Sequence, residues 1–269
     1  MNPLPTLFVS HGAPTFALEP GRAGALLGAL GRALPRPEAV LVVSPHWTTE
    51  GVRVATTAAP ATVHDFGGFD PALRRMAYRA PGHPALAGAT LEALAAAGVP
   101  AEADAGRGLD HGAWVPLTHL YPDADVPVFQ VSMPARLDAR GALALGAALA
   151  PLRALGVLVV GSGSLTHNLY EVSWHEPVPA RYASEFVDWV RARVATGDRE
   201  ALARTFEDAP HALRAHPTAE HYLPLPIAVG AAGGAGPVTV LDGGIEHGVL
   251  SMESYVLGAS IELEAGAPA

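Results

Sequence analysis

Three short apolar runs in this chain are each followed by a histidine. The runs cover residues 7–10, 40–44 and 157–160, and the histidines that follow them are His11, His46 and His167. Buried parallel strands read as runs of this kind, and ligands of open α/β sheets bind beyond the carboxyl ends of such strands. We therefore expect three imidazoles to meet at one edge of a sheet, as a metal site or a proton-transfer site.

Helical patterns separate these runs. Leucines at helical spacing over 21–34, followed by Pro35, predict a helix that joins the first two strands as a parallel crossover unit. The same reasoning predicts helices over 84–97, 139–155, 181–194 and 200–206, and strands over 126–131, 238–241 and 251–257. The long connection from Trp47 to Pro84 is predicted to be a binding loop or a lid.

Length and composition favour one globular α/β domain over residues 1–269. Hydrophobic residues make up 49% of the chain and charged residues 16%, so a large core is expected, with only the small-residue tail 264–269 flexible. A formal charge of −9 without a concentrated basic face argues against a nucleic-acid partner.

The chain contains no cysteine, which excludes disulfides, thiolate ligands and a cysteine nucleophile. Any metal must therefore be held by His, Asp or Glu. No apolar segment approaches the roughly 20 residues that span a bilayer, and no signal-like segment begins the chain, so we expect a cytoplasmic protein.

A third metal ligand has two candidates in the sequence. His221 borders the apolar run 222–231, whereas Glu220 would complete the two-histidine, one-carboxylate face that is usual for non-haem iron.

His216 precedes a proline and is expected to cap a turn. His111 and His64 each offer a hydrogen bond to a substrate, with a structural loop role equally open. The other histidines are taken as surface or structural residues: His83, His119, His175, His211 and His247.

The segment 161–167 does not carry a nucleotide motif. It lacks the lysine of a P-loop, and its glycine spacing does not fit the dinucleotide fingerprint. Gly-x-Ser-x-Gly is also absent, which argues against a serine hydrolase, although Ser162 and Ser164 lie near histidines.

An ordered set of six motifs resembles the class III extradiol ring-cleavage dioxygenases, within them the DODA-type, 4,5-DOPA dioxygenase group of the LigB superfamily. The resemblance covers about residues 4–255. The motifs are Ser10-His11-Gly12-Ala13-Pro14, Ser44-Pro45-His46-Trp47, His64-Asp65-Phe66-Gly67-Gly68-Phe69, Asp110-His111-Gly112-Ala113-Trp114, Gly161-Ser162-Gly163 with His167-Asn168-Leu169, and His216-Pro217-Thr218 with His221-Tyr222-Leu223-Pro224-Leu225.

The resemblance implies an α/β sandwich around a mixed, largely parallel sheet, with one divalent metal per chain held by His11, His46 and His221. His167 matches the catalytic base of the family, and in zinc-bound members it is close enough to count as a fourth ligand. His111 and His64 would assist by hydrogen bonding to the substrate or to oxygen species. Ring-cleaving LigB enzymes proper have a glutamate where His221 stands, so both Fe(II) and Zn(II) are open for this chain.

The implied activity is the opening of a catechol ring, DOPA-like, with O2 to give a semialdehyde. The implied partners are a small aromatic diol and O2, with no membrane, and a homo-oligomer is open. Two alternatives are a zinc-binding LigB-superfamily protein without oxygenase activity and a zinc hydrolase. The physiological substrate, the native metal and the oligomeric state are not readable from the sequence.

Overall fold

The predicted apolar runs form the centre of an eight-stranded sheet in the computed structural model, which describes residues 3–174, 178–234 and 236–263. The strands in those residues are β1 Thr6–Ser10, β2 Ala39–Thr49, β3 Val52–Ala55, β4 Ala101–Asp104, β5 Val128–Pro134, β6 Val157–Gly163, β7 Val238–Leu241, β8 Ile245–Glu246, β9 Leu250–Ser251 and β10 Ser254–Leu257. The helices are α1 Gly21–Ala33, α2 Pro84–Ala96, α3 His111–Leu120, α4 Ala139–Leu149, α5 Arg181–Thr196, α6 Arg199–Ala203, α7 Thr205–Asp208, α8 Ala212–Ala215 and α9 Pro224–Ala232.

Strand order in the sheet is β4-β3-β5-β2-β6-β1-β10-β7. The four central strands β5, β2, β6 and β1 are mutually parallel, whereas β3 is antiparallel to β5. β10 is antiparallel to both of its neighbours, β1 and β7. β8 and β9 form a separate two-stranded ribbon. The expected mixed, largely parallel sheet is confirmed, with β1 and β2 parallel but separated by β6.

Side-chain alternation along the central strands divides the core into two layers. Leu41 and Val43 of β2 pack with α4 and α9 on one face, while Val40 and Val42 pack with α1 and α3 on the other. Helices therefore cover both faces of the sheet, as parallel strands buried on both sides require. This is the expected α/β sandwich.

Two expectations about strand limits were wrong. β2 does not end at Ser44 but continues to Thr49, and its pairing with β5 shifts register between Val43 and Thr48. Pro45 has no amide hydrogen to donate, so the ladder is interrupted there and resumes beyond it. His46 lies inside this irregular stretch. β6 likewise runs on to Gly163, three residues past the apolar run.

Other elements differ from the predicted limits. α4 ends at Leu149 and a 3-10 helix follows over Ala150–Leu155, because Pro151 cannot continue the α-helical hydrogen bonds. The predicted strand 251–257 divides between β9 and β10, the predicted helix 200–206 divides between α6 and α7, and the strand predicted over 126–131 is β5. The predicted loop from Trp47 contains β3.

No helix within the described ranges is long and apolar enough to cross a membrane. The predicted flexible tail 264–269 and the surface role expected for His175 lie outside the described residues.

Candidate active site

Three histidines converge at the edge where the parallel pairing of β1, β6 and β2 ends. The ligand atoms of His11, His46 and His221 all lie within 4.8 Å of one another, and the Nε2 atoms of His11 and His46 are 3.3 Å apart. His11 follows β1 directly, and its amide donates to the carbonyl of Gly163 at 2.9 Å. The predicted meeting of imidazoles at this edge therefore includes His221, which comes from far downstream.

His221 reaches the edge because the segment before α9 lies close against β6. The Ser164 amide donates to the carbonyl of His221 at 2.9 Å. A Cβ atom at Gly163 would lie 2.3 Å from that carbonyl oxygen, and one at Gly161 would lie 2.0 Å from the carbonyl oxygen of Pro224. Only glycine permits this approach, so the two glycines of β6 help to place His221.

The hydrogen bonds of Ser162 fix the tautomer of His11. The hydroxyl of Ser162 donates its single proton to the carbonyl of Gly112, and its oxygen lies 3.0 Å from His11 Nδ1. Ser162 must then accept a hydrogen bond from Nδ1–H. His11 is therefore held with its Nε2 lone pair directed toward His46.

A carboxylate lies near the outward nitrogen of each of the other two rings, within hydrogen-bond distance for His221 only. His221 Nδ1 lies 3.1 Å from Glu220 Oε1, which also accepts from the Thr218 hydroxyl at 2.9 Å. His46 Nδ1 lies 3.6 Å from Asp65 Oδ2. Metal-binding histidines commonly donate their second ring nitrogen to such a partner, which leaves the other nitrogen free as a ligand.

Burial keeps these imidazoles neutral. Burial, reinforced by the neighbouring imidazoles, holds the pKa values of His11 and His221 well below their usual range. Burial and the nearby His111 lower the pKa of His46 to about 4. Burial alone would raise the pKa of Asp65, but the hydrogen bond and charge of His111 outweigh it and lower that pKa to about 2. Neutral imidazole is the form that binds metals.

His167 and His111 flank the three histidines. The His167 ring lies parallel to that of His221, with ring centroids 3.4 Å apart and an interplanar angle of 7°. The ring centroids of His111 and His46 are 3.9 Å apart. Asp65 anchors His111, since Oδ1 accepts from its amide at 2.9 Å and Oδ2 lies 3.0 Å from Nδ1.

All five histidines open into one cavity of about 340 Å³. Its other walls are mainly apolar side chains, including Phe66, Phe69, Leu169, Val172, Trp174 and Leu250. Pockets that bind small molecules combine an apolar lining with a few convergent polar groups in this way.

His64 is not on the wall of this cavity, contrary to the expectation of a substrate-binding role. Its Nε2 donates to the carbonyl of Met76 at 2.9 Å, and its ring packs against Phe66 and Trp114. It lines a separate surface groove. These contacts support the loop that carries Asp65 and Phe66.

His216 does more than cap a turn. It is buried, its Nε2 donates to the carbonyl of Leu165 at 2.7 Å, and its ring lies among Phe186, Phe206 and Tyr222. Burial lowers its pKa to about 4. The histidines expected to be structural make local contacts: His83 caps α2, His119 bonds to the Phe16 carbonyl, His211 pairs with Glu185 and His247 packs on Trp174.

Sequence reasoning missed the residues that hold the histidines. In the sequence, Asp65 is marked only by its place in the motif 64–69. Ser162 is a candidate only as a nucleophile, and Glu220 is a candidate only as a metal ligand. The cavity aromatics Phe66, Phe69 and Trp174 were not singled out. The motif 64–69 could have indicated these residues, because it places one acidic residue and two phenylalanines within six positions.

The family of the chain follows from comparison with known proteins. The model of the family described as the catalytic LigB subunit of aromatic ring-opening dioxygenase matches residues 27–258. The chain belongs to this LigB family. Its matched region begins within α1 and ends just after β10, and so includes seven of the eight strands of the main sheet.

Two relatives within the LigB family are named 4,5-DOPA dioxygenase extradiol. The one from Escherichia coli (strain K12) is 40% identical, covering 95% of each chain, and the one from Beta vulgaris is 37% identical, covering 93% of this chain and 95% of its own. The crystal structure of an uncharacterized protein from Escherichia coli K12 matches with a TM-score of 0.76 at 35% identity, over 95% of this chain and all of that one. The expected family and enzyme class, extradiol dioxygenase, are thereby confirmed.

Proposed function

We propose that this protein opens the ring of a catechol, DOPA-like, with O2 and produces a semialdehyde. The observation that carries the proposal is the convergence of three neutral imidazoles at the end of an apolar cavity. The relatives named for 4,5-DOPA make DOPA and simple catechols the first substrates to test.

A divalent metal, Fe(II) or Zn(II), fits the residues present. Ser162, Asp65 and Glu220 face the outward nitrogens of His11, His46 and His221, so three lone pairs are available on the inner side. The Nε2 atoms of His11 and His46, 3.3 Å apart, are close enough to bind one shared cation. Glu220 then orients His221 instead of acting as the third ligand. A metal bound there would supply a binding point for the catechol oxygens, and Fe(II), unlike redox-inactive Zn(II), would also supply the electron transfer that O2 activation needs.

His167 is proposed as the base that takes a proton from a catechol hydroxyl. Its ring lies directly against His221, so a diol held at the three imidazoles is within reach of it. In a zinc-bound form, the alternative role of His167 is that of a fourth ligand. His111, beside His46 and anchored by Asp65, is placed to hydrogen-bond the substrate. The apolar walls exclude water from the ring.

The test is loading of the metal-free protein with ferrous iron under anaerobic conditions, followed by catechol or DOPA and then air. We expect oxygen uptake and a yellow ring-opened product at a stoichiometry of one O2 per catechol. If iron occupancy is confirmed and no catechol yields this product, the proposal is wrong.

An all-histidine donor set also suits zinc, which favours two other functions as alternatives. A zinc-binding protein without oxygenase activity would take up no oxygen in either the iron or the zinc form. A zinc hydrolase would cleave an ester or amide anaerobically in the zinc form. A cytoplasmic location, which the absence of cysteine allows, and a homo-oligomeric state are part of the proposal.

A further inference from the structure

Two neighbouring segments carry the proposed base and the proposed third ligand. His167 lies on residues 164–168, an irregular segment that follows β6, and we call it the base segment. His221 lies on residues 214–221, which run from the end of α8 toward α9, and we call them the ligand segment. How these segments are joined decides where the base lies relative to the three imidazoles.

Four hydrogen bonds join the base segment to the ligand segment. Each links one residue of the first to one residue of the second: the Ser164 amide to the His221 carbonyl at 2.9 Å, His216 Nε2 to the Leu165 carbonyl at 2.7 Å, the His167 amide to the Ala215 carbonyl at 2.8 Å, and Asn168 Nδ2 to the Arg214 carbonyl at 2.8 Å. An irregular segment has no strand or helix partner of its own, so these bonds set its position.

The bond from His216 has no substitute from solvent. Leu165 is 0% exposed and His216 is 1% exposed, so water does not reach this carbonyl. The imidazole packs among Phe186, Phe206 and Tyr222, and its Nδ1 has no hydrogen-bond partner among the described residues. The ring therefore contributes one N–H donor, aimed at the base segment.

The stack of His167 on His221 depends on this alignment. The two ring centroids are 3.4 Å apart with an interplanar angle of 7°. A shift of the base segment would move the nitrogen of His167 away from a diol held at the three imidazoles, and proton transfer requires hydrogen-bond reach. His221 has supports of its own, which are the carboxylate of Glu220 and the close approach of its carbonyl to Gly163.

We propose that His216 is a positioning residue for His167, because its Nε2–H holds the base segment where His167 reaches the substrate. This inference rests on the proposed function, in which His167 is the base. Within the described part of the chain, His216 is not among the residues that line the cavity, so it acts through His167 and not on the substrate.

The experiment replaces His216 by leucine, which removes the donor and keeps an apolar side chain in the core. We expect kcat of the iron-loaded protein with catechol to fall roughly 100-fold, because a displaced base loses its reactive geometry. KM should stay within about threefold, since substrate binding is unchanged. Zinc affinity, measured by chelator competition, should also stay within about threefold, because the partners of the three ligand rings remain. His216→Gln, whose amide places an N–H near the position of Nε2, should recover most of the lost kcat.

A second measurement needs no turnover. Exchange of the His167 amide hydrogen in the zinc-loaded protein, followed by NMR, reports on its bond to the Ala215 carbonyl. His216→Leu should speed this exchange at least about tenfold, because the segment opens more often. His216→Gln should return it to near the wild-type rate.

Thr205→Val is the matched control. Thr205 is fully buried in the same part of the core, and its hydroxyl lies 2.6 Å from that of Tyr222 and 3.0 Å from the Leu202 carbonyl, both outside the two segments. The control should lose stability and keep the wild-type kcat and exchange rate. If the leucine variant does not fold, His216→Asn takes its place with the same expected results, because its amide is one bond too short to reach the Leu165 carbonyl.

An unchanged kcat in the variant without the donor, an equal loss in Thr205→Val, or a glutamine variant no better than leucine would overturn the inference. A loss of zinc affinity as large as the loss of kcat would overturn it too, because His216 would then act on the metal site. Failure of the wild type to turn over any catechol would instead overturn the proposed function, and hydrogen exchange would still decide whether His216 holds the base segment.

Discussion

Ser162 shows how a single hydroxyl can fix the tautomer of a proposed metal ligand. Because it donates to the Gly112 carbonyl, it can only accept from His11 Nδ1–H, and this directs the Nε2 lone pair inward. Ser162→Ala should free the ring to rotate or change tautomer and weaken zinc affinity by about 10- to 100-fold, measured by competition with a chromophoric chelator.

The control for this prediction is Ser132→Ala. Ser132 is also fully buried, but it bonds to the Thr49 hydroxyl and the Arg53 amide and to no histidine. The Ser132→Ala variant should be less stable than the wild type but should bind zinc with the same affinity. An equal loss of affinity in the two variants would show that Ser162 acts only through packing.

Substitution should distinguish the histidines proposed to hold the metal from the histidine proposed to act as the base. His11→Ala or His46→Ala removes one of three ligand atoms and should abolish metal retention, measured by elemental analysis after dialysis. His167→Ala should retain metal and lose turnover with catechol, since removing a general base costs about 10²- to 10⁴-fold. Full turnover in the His167 variant would contradict its role as base.

Apolar runs followed by a histidine predicted which imidazoles meet at the edge of the sheet, but not the groups that hold them. His11 and His46 were placed at the edge from apolar runs alone. The partners Asp65 and Ser162 could not be assigned, because a hydrogen bond between residues 151 positions apart depends on how β1 and β6 pair. The parallel pairing of Val9 with Ser162 fixes that contact.

At the scale of elements, the approach of α9 to β6 positions His221. Gly163→Ala would bring a Cβ atom to within 2.3 Å of the His221 carbonyl oxygen, and backbone cannot move aside as a side-chain end can. We expect a loss of about 1–3 kcal/mol in the free energy of unfolding together with weaker zinc binding. Denaturant unfolding and chelator competition measure the two effects.

Gly88→Ala provides the comparison within a helix. A Cβ atom at Gly88 in α2 meets nothing within 4 Å, so alanine should stabilise the protein by about 0.5–1 kcal/mol and leave zinc affinity unchanged. Unchanged zinc affinity in Gly163→Ala would mean that His221 is not positioned by this contact.

Hydrophobic periodicity predicted the central strands, the edge strand β7 and most long helices, but not β3 and β4 at the opposite edge of the sheet. β3 and β4 are four residues each, and β4 consists of Ala101, Glu102, Ala103 and Asp104, which are at least partly exposed. Short edge strands carry little apolar signal. The irregular stretch of β2 around Pro45 could not be predicted for another reason: the register shift there depends on how β2 pairs with β5.

The whole molecule should lose stability in acid, because several of its histidines are buried. Burial lowers the pKa values of His46, His167 and His216 to about 4, and it holds those of His11 and His221 well below 6.5. The unfolded chain protonates these imidazoles near pH 6.5 while the folded protein keeps them neutral, so the unfolded state binds more protons and stability falls as the pH drops from about 6.5 toward 4.

Each imidazole that stays neutral should contribute up to about 1.4 kcal/mol per pH unit to this loss. Denaturant unfolding of the metal-free protein in chelator at several pH values measures the slope. His46→Asn should reduce the slope by about one imidazole, because asparagine does not titrate. His211→Gln, which changes a side chain that is 41% exposed, is the control. A slope that is equal in the wild type and His46→Asn would mean that His46 takes up its proton as readily in the folded protein as in the unfolded chain, which contradicts the lowered pKa that burial gives it.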